Sequence, residues 1–204
     1  MKVGVLASGS GTNLQALLDA AAGGRLGPAR LAAVGVNVPG CGALARAQAA
    51  GVPTFVVNHR DFPSREQFDV ALLAALRAHG CELIVLAGFM RILTPLFLDA
   101  FAERVINIHP SLLPAFPGVD AQGQAFRAGV KVAGCTVHFV EAGVDSGPII
   151  AQVAVPVLDD DDASALRARI LAEEHKILPA VVRAMAEGRV HADGCHVHIR
   201  PTPP

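Results

Sequence analysis

Val3-Gly4-Val5-Leu6-Ala7-Ser8-Gly9-Ser10-Gly11-Thr12-Asn13-Leu14 joins an apolar run to a serine- and glycine-rich turn, and that turn to a helical pattern. Val3 to Ala7 has no polar alternation, which fits a strand buried on both faces. Thr12 to Ala22 then reads as a helix, capped near Ser10 or Thr12. The unit recurs along the front half. Arg30 to Val36, Thr54 to Val57 and Glu82 to Ala87 read as strands, and Gly42 to Ala50 as a short helix. Ser64 to His79 reads as a helix with Phe68, Val70, Leu72, Leu73 and Leu76 at helical spacing. Apolar strands alternating with helices predict an α/β fold, a mostly parallel sheet with helices on both faces.

The pattern changes after a fifth strand, Arg104 to Ile108. A Pro- and Gly-rich loop runs to Gly118, and a helix covers Ala121 to Ala128. Thr136 to Val140 and Ile149 to Val157 read as strands joined by a Gly-containing loop, which predicts antiparallel pairing in the C-terminal half. Ala163 to Ala186 reads as a long helix with a possible kink at Pro179. In the tail, Arg189 to Ile199 alternates around Asp193-Gly194, a hairpin turn pair. Pro201 to Pro204 is expected as a frayed end. No linker, repeat or low-complexity tract divides the chain, so residues 1–204 are read as one domain carrying a hairpin tail over 189–204.

The bulk numbers bound the class. Hydrophobic residues make up 52% and charged residues 17% of 204 residues, which favours a packed globule over disorder. The formal net charge is -1, with no long Lys/Arg run, so no nucleic-acid partner is expected. Cys41, Cys81, Cys135 and Cys195 form no CxxC and are read as buried thiols of a reducing compartment. The first apolar run is too short for a signal peptide, and Arg91 interrupts the longest apolar stretch, Leu83 to Phe97. A cytoplasmic protein without a membrane anchor is the expectation.

Two segments carry chemistry. Ser8 to Asn13 links a strand to a helix, where exposed N–H groups and the helix dipole can cradle an anion. Gly9-x-Gly11-x-x-Leu14 lacks the third glycine of a dinucleotide fingerprint, and Val36-Asn37 offers no acid for a ribose. There is no Gly-Lys-Ser/Thr either. A single phosphate on a small substrate fits better; a plain structural turn is the competing reading.

The second segment is Ile106-Asn107-Ile108-His109-Pro110-Ser111-Leu112-Leu113-Pro114. Residues two apart on a strand share a face, so Asn107 and His109 project together. An amide that can steady an oxyanion beside an imidazole that can handle a proton suits acyl transfer. A carboxylate would orient the imidazole and stabilise its cation. Asp145, flanked by Gly143 and Gly147, is the best candidate; Asp159 to Asp162 is a weaker one, read as a solvated turn before a helix. A polar strand end without catalytic duty is the alternative. His191, His196 and His198 could chelate a metal, but a polar edge hairpin is the reading taken, and no metal is expected.

The chain resembles the folate-dependent phosphoribosylglycinamide formyltransferases of purine synthesis. The resemblance rests on Ser8 to Gln15, Leu86-Ala87-Gly88-Phe89-Met90-Arg91-Ile92-Leu93, Ile106 to Pro114, Thr136 to Val140, and Asp145-Ser146-Gly147-Pro148-Ile149, and spans Val3 to about Arg189. It implies a Rossmann-like formyltransferase fold. Asn107, His109 and Asp145 would be catalytic. Gly11, Thr12, Asn13 and Glu174 would bind glycinamide ribonucleotide. Arg65, Met90, Arg91, Ile92, Leu93 and Asn107 would bind the co-substrate 10-formyltetrahydrofolate, which needs no metal. With no Trp or Tyr, an apolar, tight folate pocket walled by Leu86, Ile92, Leu93 and Val140, with Phe89 nearby, is expected. Val119 to Gly123 departs from relatives that carry His there, and the tail receives no role. A monomer or homodimer serving small-molecule substrates is implied. Methionyl-tRNA formyltransferases and formyltetrahydrofolate hydrolases share the chemistry but would usually carry an additional domain.

Overall fold

A computed structural model of the chain describes residues 1–202; Pro203 and Pro204, half of the expected frayed end, lie outside the described residues. In chain order the elements are β1 (Lys2–Ala7), α1 (Thr12–Ala22), β2 (Arg30–Val36), α2 (Gly42–Ala49), β3 (Thr54–Val56), α3 (Arg65–Ala78), β4 (Leu83–Leu86), α4 (Pro95–Ala100) and β5 (Val105–His109). They continue with α5 (Ala121–Arg127), β6 (Val132–Phe139), β7 (Ile149–Pro156), α6 (Ala163–Ala186), β8 (Val190–Asp193) and β9 (His196–Ile199). Strands β3-β2-β1-β4-β5-β6-β7 form one sheet in that order. Pairings from β3 through β5 are parallel, and β5–β6 and β6–β7 are antiparallel.

Alternation along the strands divides the core in two. Val3, Val5, Leu83, Val85, Ile106 and Ile108 pack with Leu14 and Leu17 of α1, Ala43 of α2 and Ile170 and Leu178 of α6. Leu6, Ile84, Leu86 and Val105 face the other way, onto Phe68, Leu72 and Leu76 of α3 and Phe97 of α4. Asn107 and His109 follow Val105 at steps of two, so they lie on the α3–α4 face. Polar residues thus replace apolar ones at the sheet end that β1, β4 and β5 share, where ligands of parallel sheets gather.

Several expectations need correction. β6 starts at Val132, four residues before the expected strand, because Ala133-Gly134-Cys135 carry little β-branched signal while pairing with β7 extends to Val132↔Pro156. Helix α4 was not anticipated, although Thr94-Pro95 is a start signal with Pro at the first helical position. Buried Asp69 of α3 fixes that start, accepting from Thr94 N and Oγ1, each at 2.7 Å. Helix α6 runs unbroken through Pro179. The hairpin turn is Gly194-Cys195, one residue later than expected, since Asp193 pairs with His196. Consequently Cys195 is exposed, not buried, and Cys41 is half-buried. Burial pushes the thiols of Cys81 and Cys135 up to about 11 and about 12, so both are unreactive. Among the described residues no helix is long and apolar enough to cross a membrane.

Candidate active site

The front of the site is made of main chain. Gly11 is the N-cap of α1 with φ 74° and gives no side-chain cap, so neither Ser10 nor Thr12 closes the helix. The first-turn N–H groups are therefore available to an outside acceptor. A Cβ on Gly11 would sit 2.6 Å from Ala43 Cα, so α2 packs against the turn too closely for any side chain. Ser8 braces the turn. Its hydroxyl donates to Asn37 Oδ1 (2.6 Å) and accepts from Met90 N–H (2.7 Å), tying the end of β1 to the segment after β4. Between these loops lies a cavity of about 210 Å³, lined by residues of Ser8 to Asn13 with Ala87, Gly88 and Met90.

At its edge Asn13 Nδ2 donates to Glu174 Oε2 at 2.6 Å. Glu174 is 4% exposed, and its Oε1 and Asn13 Oδ1 are both buried without a partner. Burial pushes this carboxyl up, and the Asn13 bond only partly opposes that. An unpaired buried acceptor beside unpaired helix N–H groups is a polar site awaiting hydroxyl or amide donors.

The rear is made of side chains. Asp145 stands at φ 49°, a left-handed conformation that is costly for a residue with a Cβ. Its Oδ2 accepts Gly118 N–H at 2.7 Å and lies 3.3 Å from His109 Nδ1, while Oδ1 lies 3.4 Å from Asn107 Nδ2. Gly147 lets the loop lie flat on β6, because a Cβ there would strike the Phe139 carbonyl. Burial alone would raise the Asp145 carboxyl; His138 when its Nε2 carries a proton, the Gly118 N–H and His109 outweigh burial and hold it below the usual range.

His109 is 4% exposed, and its Nε2 meets the Phe116 carbonyl at 2.9 Å. Both ring nitrogens face acceptors, so both are satisfied only when each carries a proton. The loop bringing Phe116 there is held by Thr136, which accepts Leu113 N–H and donates to Ser111 O, and by Gln152, which donates to Leu113 O. The Leu113-Pro114 peptide in this loop is cis.

His138 is a site residue to which the sequence reading gave no role. It lies opposite Asn107 in the β5–β6 register, next to a bulge in β6–β7. Its Nδ1 donates to Phe139 O (2.7 Å), and its Nε2 is 3.1 Å from Asn107 Nδ2 and accepts from it. With a second proton, Nε2 would face Asp145 Oδ1 at 3.7 Å. Only the register could have revealed this, and the register depends on where β6 begins.

The expected folate residues are only partly gathered. Met90 and Ile92 are 66% and 53% exposed, and Arg91 has a buried Nε without a partner. Leu86, Phe89 and Leu93 are packed in the α3–α4 core, with Val140 against them. Exposed Met90 and Ile92 thus lie next to the buried Leu86, Phe89 and Leu93. Arg65 opens α3 and is exposed. The acids at 159–162 precede α6 as expected, but not all are solvated: Asp162 caps α6 through Ala165 N, and Asp161, its side chain covered, grips Arg169 at 2.5 and 2.6 Å. His191 and His198 pair across the exposed hairpin, and no group of metal-ligand type occurs among the described residues.

A family model described as formyl transferase matches residues 1–182. The chain belongs to the formyl transferase family. It is 53% identical over 182 residues to the phosphoribosylglycinamide formyltransferase of Mycobacterium tuberculosis, covering 89% of this chain and 83% of that protein. The Bacillus subtilis protein of the same name is 43% identical, with coverages of 90% and 94%. The crystal structure of glycinamide ribonucleotide transformylase 1 from Symbiobacterium toebii superposes with a TM-score of 0.95 at 54% identity, covering 98% of this formyl transferase and 93% of that chain. The mostly parallel sheet with antiparallel strands at its C-terminal end is therefore the formyltransferase form of the Rossmann-like fold.

Proposed function

We propose that this enzyme transfers the formyl group of 10-formyltetrahydrofolate to the amine of glycinamide ribonucleotide, in the cytoplasm, with residues 1–204 acting as one unit and 189–204 as an appended hairpin. The observation that carries this reading is the convergence of Asn107, His109 and Asp145, from two distant segments, on one carboxylate-centred cluster. The names of the relatives support the acceptor, and the neighbouring main-chain cavity suits a phosphorylated one.

Attack of the acceptor amine on the formyl carbon places negative charge on the formyl oxygen. Asn107 N–H₂ and protonated His109 stabilise that charge, and Asp145 holds His109 charged and oriented. In the resting arrangement both donors are already occupied. The 3.4 Å contact from Asn107 to Asp145 is the weaker of the two Asn107 bonds and is the one an oxyanion replaces. Donation from His109 Nε2 requires the Phe116 carbonyl to yield. His138, with its Nε2 accepting from Asn107, keeps the amide turned with its nitrogen inward. The proton leaving the amine passes to the departing folate nitrogen, and no metal or covalent enzyme intermediate is involved. Gly11, Thr12, Asn13 and Glu174 hold the ribonucleotide. The exposed apolar chains of Met90 and Ile92, and the unpartnered Arg91 Nε, suit a flat heteroaromatic ring with polar edges, with Arg65 further out.

The test is turnover of 10-formyltetrahydrofolate with and without glycinamide ribonucleotide. Deformylation that depends on the ribonucleotide, with formylated ribonucleotide as product, is expected. Formate release without it would make the enzyme a hydrolase, and no turnover from folded protein would overturn the reading.

A further inference from the structure

Taking the acceptor to be a phosphate monoester, its charge is not balanced by the main-chain cradle. Such a group carries about 1.5 to 2 negative charges at neutral pH, whereas a helix N-terminus offers about half a positive charge. Thr12 lines the loop cavity and also a second cavity of about 320 Å³ on the flank of α1, with Gln15, Ala16, Asp19, Arg25, Arg46 and His175. Arg46 reaches this flank from α2. Its Nε donates to Ser10 O at 2.9 Å and one terminal nitrogen to Gln15 Oε1 at 3.0 Å. Among the described residues it has no carboxylate partner, and its other terminal nitrogen makes no hydrogen bond. Arg25 likewise meets only the Asp19 main-chain carbonyl, and His175 Nε2 is buried without a partner. Asp19, the one acid lining this cavity, already accepts from Gln15.

We propose that Arg46 is the cationic partner of the acceptor's phosphate, positioned by Ser10 and Gln15, and that the flank cavity with His175 completes an anion subsite beside Thr12. The guanidinium is braced on the same loop and helix that present the N–H groups, so charge and cradle are one rigid piece. Selectivity for phosphorylated acceptors over the free riboside then comes largely from α2, outside the glycine motif.

The test compares Arg46→Gln, which retains a donor for Ser10 O but loses the charge, and Arg46→Lys, which restores charge without the fork. With glycinamide ribonucleotide, Arg46→Gln is expected to raise KM about 10- to 100-fold, the worth of one charge-assisted hydrogen bond, with a far smaller fall in kcat. Arg46→Lys should recover part of the loss. The phosphate-free riboside should lose much less kcat/KM, and competitive inhibition by inorganic phosphate should weaken in step with KM. Equal losses for both acceptors, or unchanged KM and phosphate inhibition, would overturn the proposal. If Arg46→Gln does not fold, the Arg46 Nε–H resonance in the unaltered protein should move on adding inorganic phosphate, and a fixed resonance overturns it equally. That readout needs no turnover, so its failure is distinct from failure of the proposed reaction.

Discussion

The two ends of the site are built from different materials. Around Gly9 to Asn13 the working groups are main-chain N–H joined by the charge of Arg46, and the other side chains mostly brace the loop, as Ser8 does by tying it to Met90. Around Asp145 the working groups are side chains from β5, β6 and two loops, with main chain in the bracing role through Gly118 N–H and Phe116 O. A site of main chain is sensitive to backbone shape and indifferent to most side-chain chemistry. A site of side chains shows the reverse.

The largest expected effect tests the rear half. Asn107→Ala, His109→Ala and Asp145→Asn should each lower kcat about 10²- to 10³-fold, while circular dichroism and melting show folded protein. The three losses should not multiply, because one carboxylate joins the three groups. Losses seen in KM with intact kcat would show that these groups bind substrate instead of stabilising charge.

The front half should break through its backbone. Gly11→Ala forces a Cβ into left-handed φ and against Ala43, and the conformation alone costs about 1–2 kcal/mol. A KM for the ribonucleotide raised about tenfold or more, with a lower melting temperature, is the expected outcome. Ser10→Ala removes an exposed hydroxyl two bonds from the same backbone and should change either quantity less than about twofold. A reversal of that order would mean the loop binds through side chains after all.

The same division sets what is legible in the sequence. The front half is contiguous in sequence, so strand, glycine turn and helix were legible together, and buried strands such as Leu83–Leu86 announced the parallel sheet. Asn107 and His109 were legible because a strand carries its own periodicity. Asp145 could be named only as a candidate, since its role depends on a 38-residue separation closing over Asn107. His138 had no role until the β5–β6 register set it opposite Asn107. Arg46 was silent because a lone arginine on a short helix has no local pattern; its meaning lies in Ser10, 36 residues away. The folate wall is not legible to the same degree, because Leu86 and Leu93 look the same in sequence whether they line a pocket or fill the core under α3.

Acids near α6 sharpen the comparison with the smallest effects. Glu174 belongs to the site, is buried, and has a carboxyl raised above its ordinary 4.5. A raised value means the stability it allows is fully present below 4.5 and is lost as pH rises through the folded-state value. Glu174→Gln should therefore melt slightly higher than the parent at neutral pH while binding ribonucleotide less tightly. Asp161 belongs to the scaffold, and Arg169 holds its carboxyl down at about 2 from an ordinary 3.8. Its contribution is present above 3.8 and fades as pH falls toward 2, so Asp161→Asn should lower the melting temperature at neutral pH by about a few degrees, as a covered carboxylate held by a partly solvated arginine allows, with the difference shrinking in acid. Melting curves of both variants from pH 3 to 8 should diverge from the parent in opposite directions as pH rises. Parallel behaviour would mean that Glu174 is solvated and satisfied in solution, which would remove the unpaired acceptor on which the reading of the front half depends.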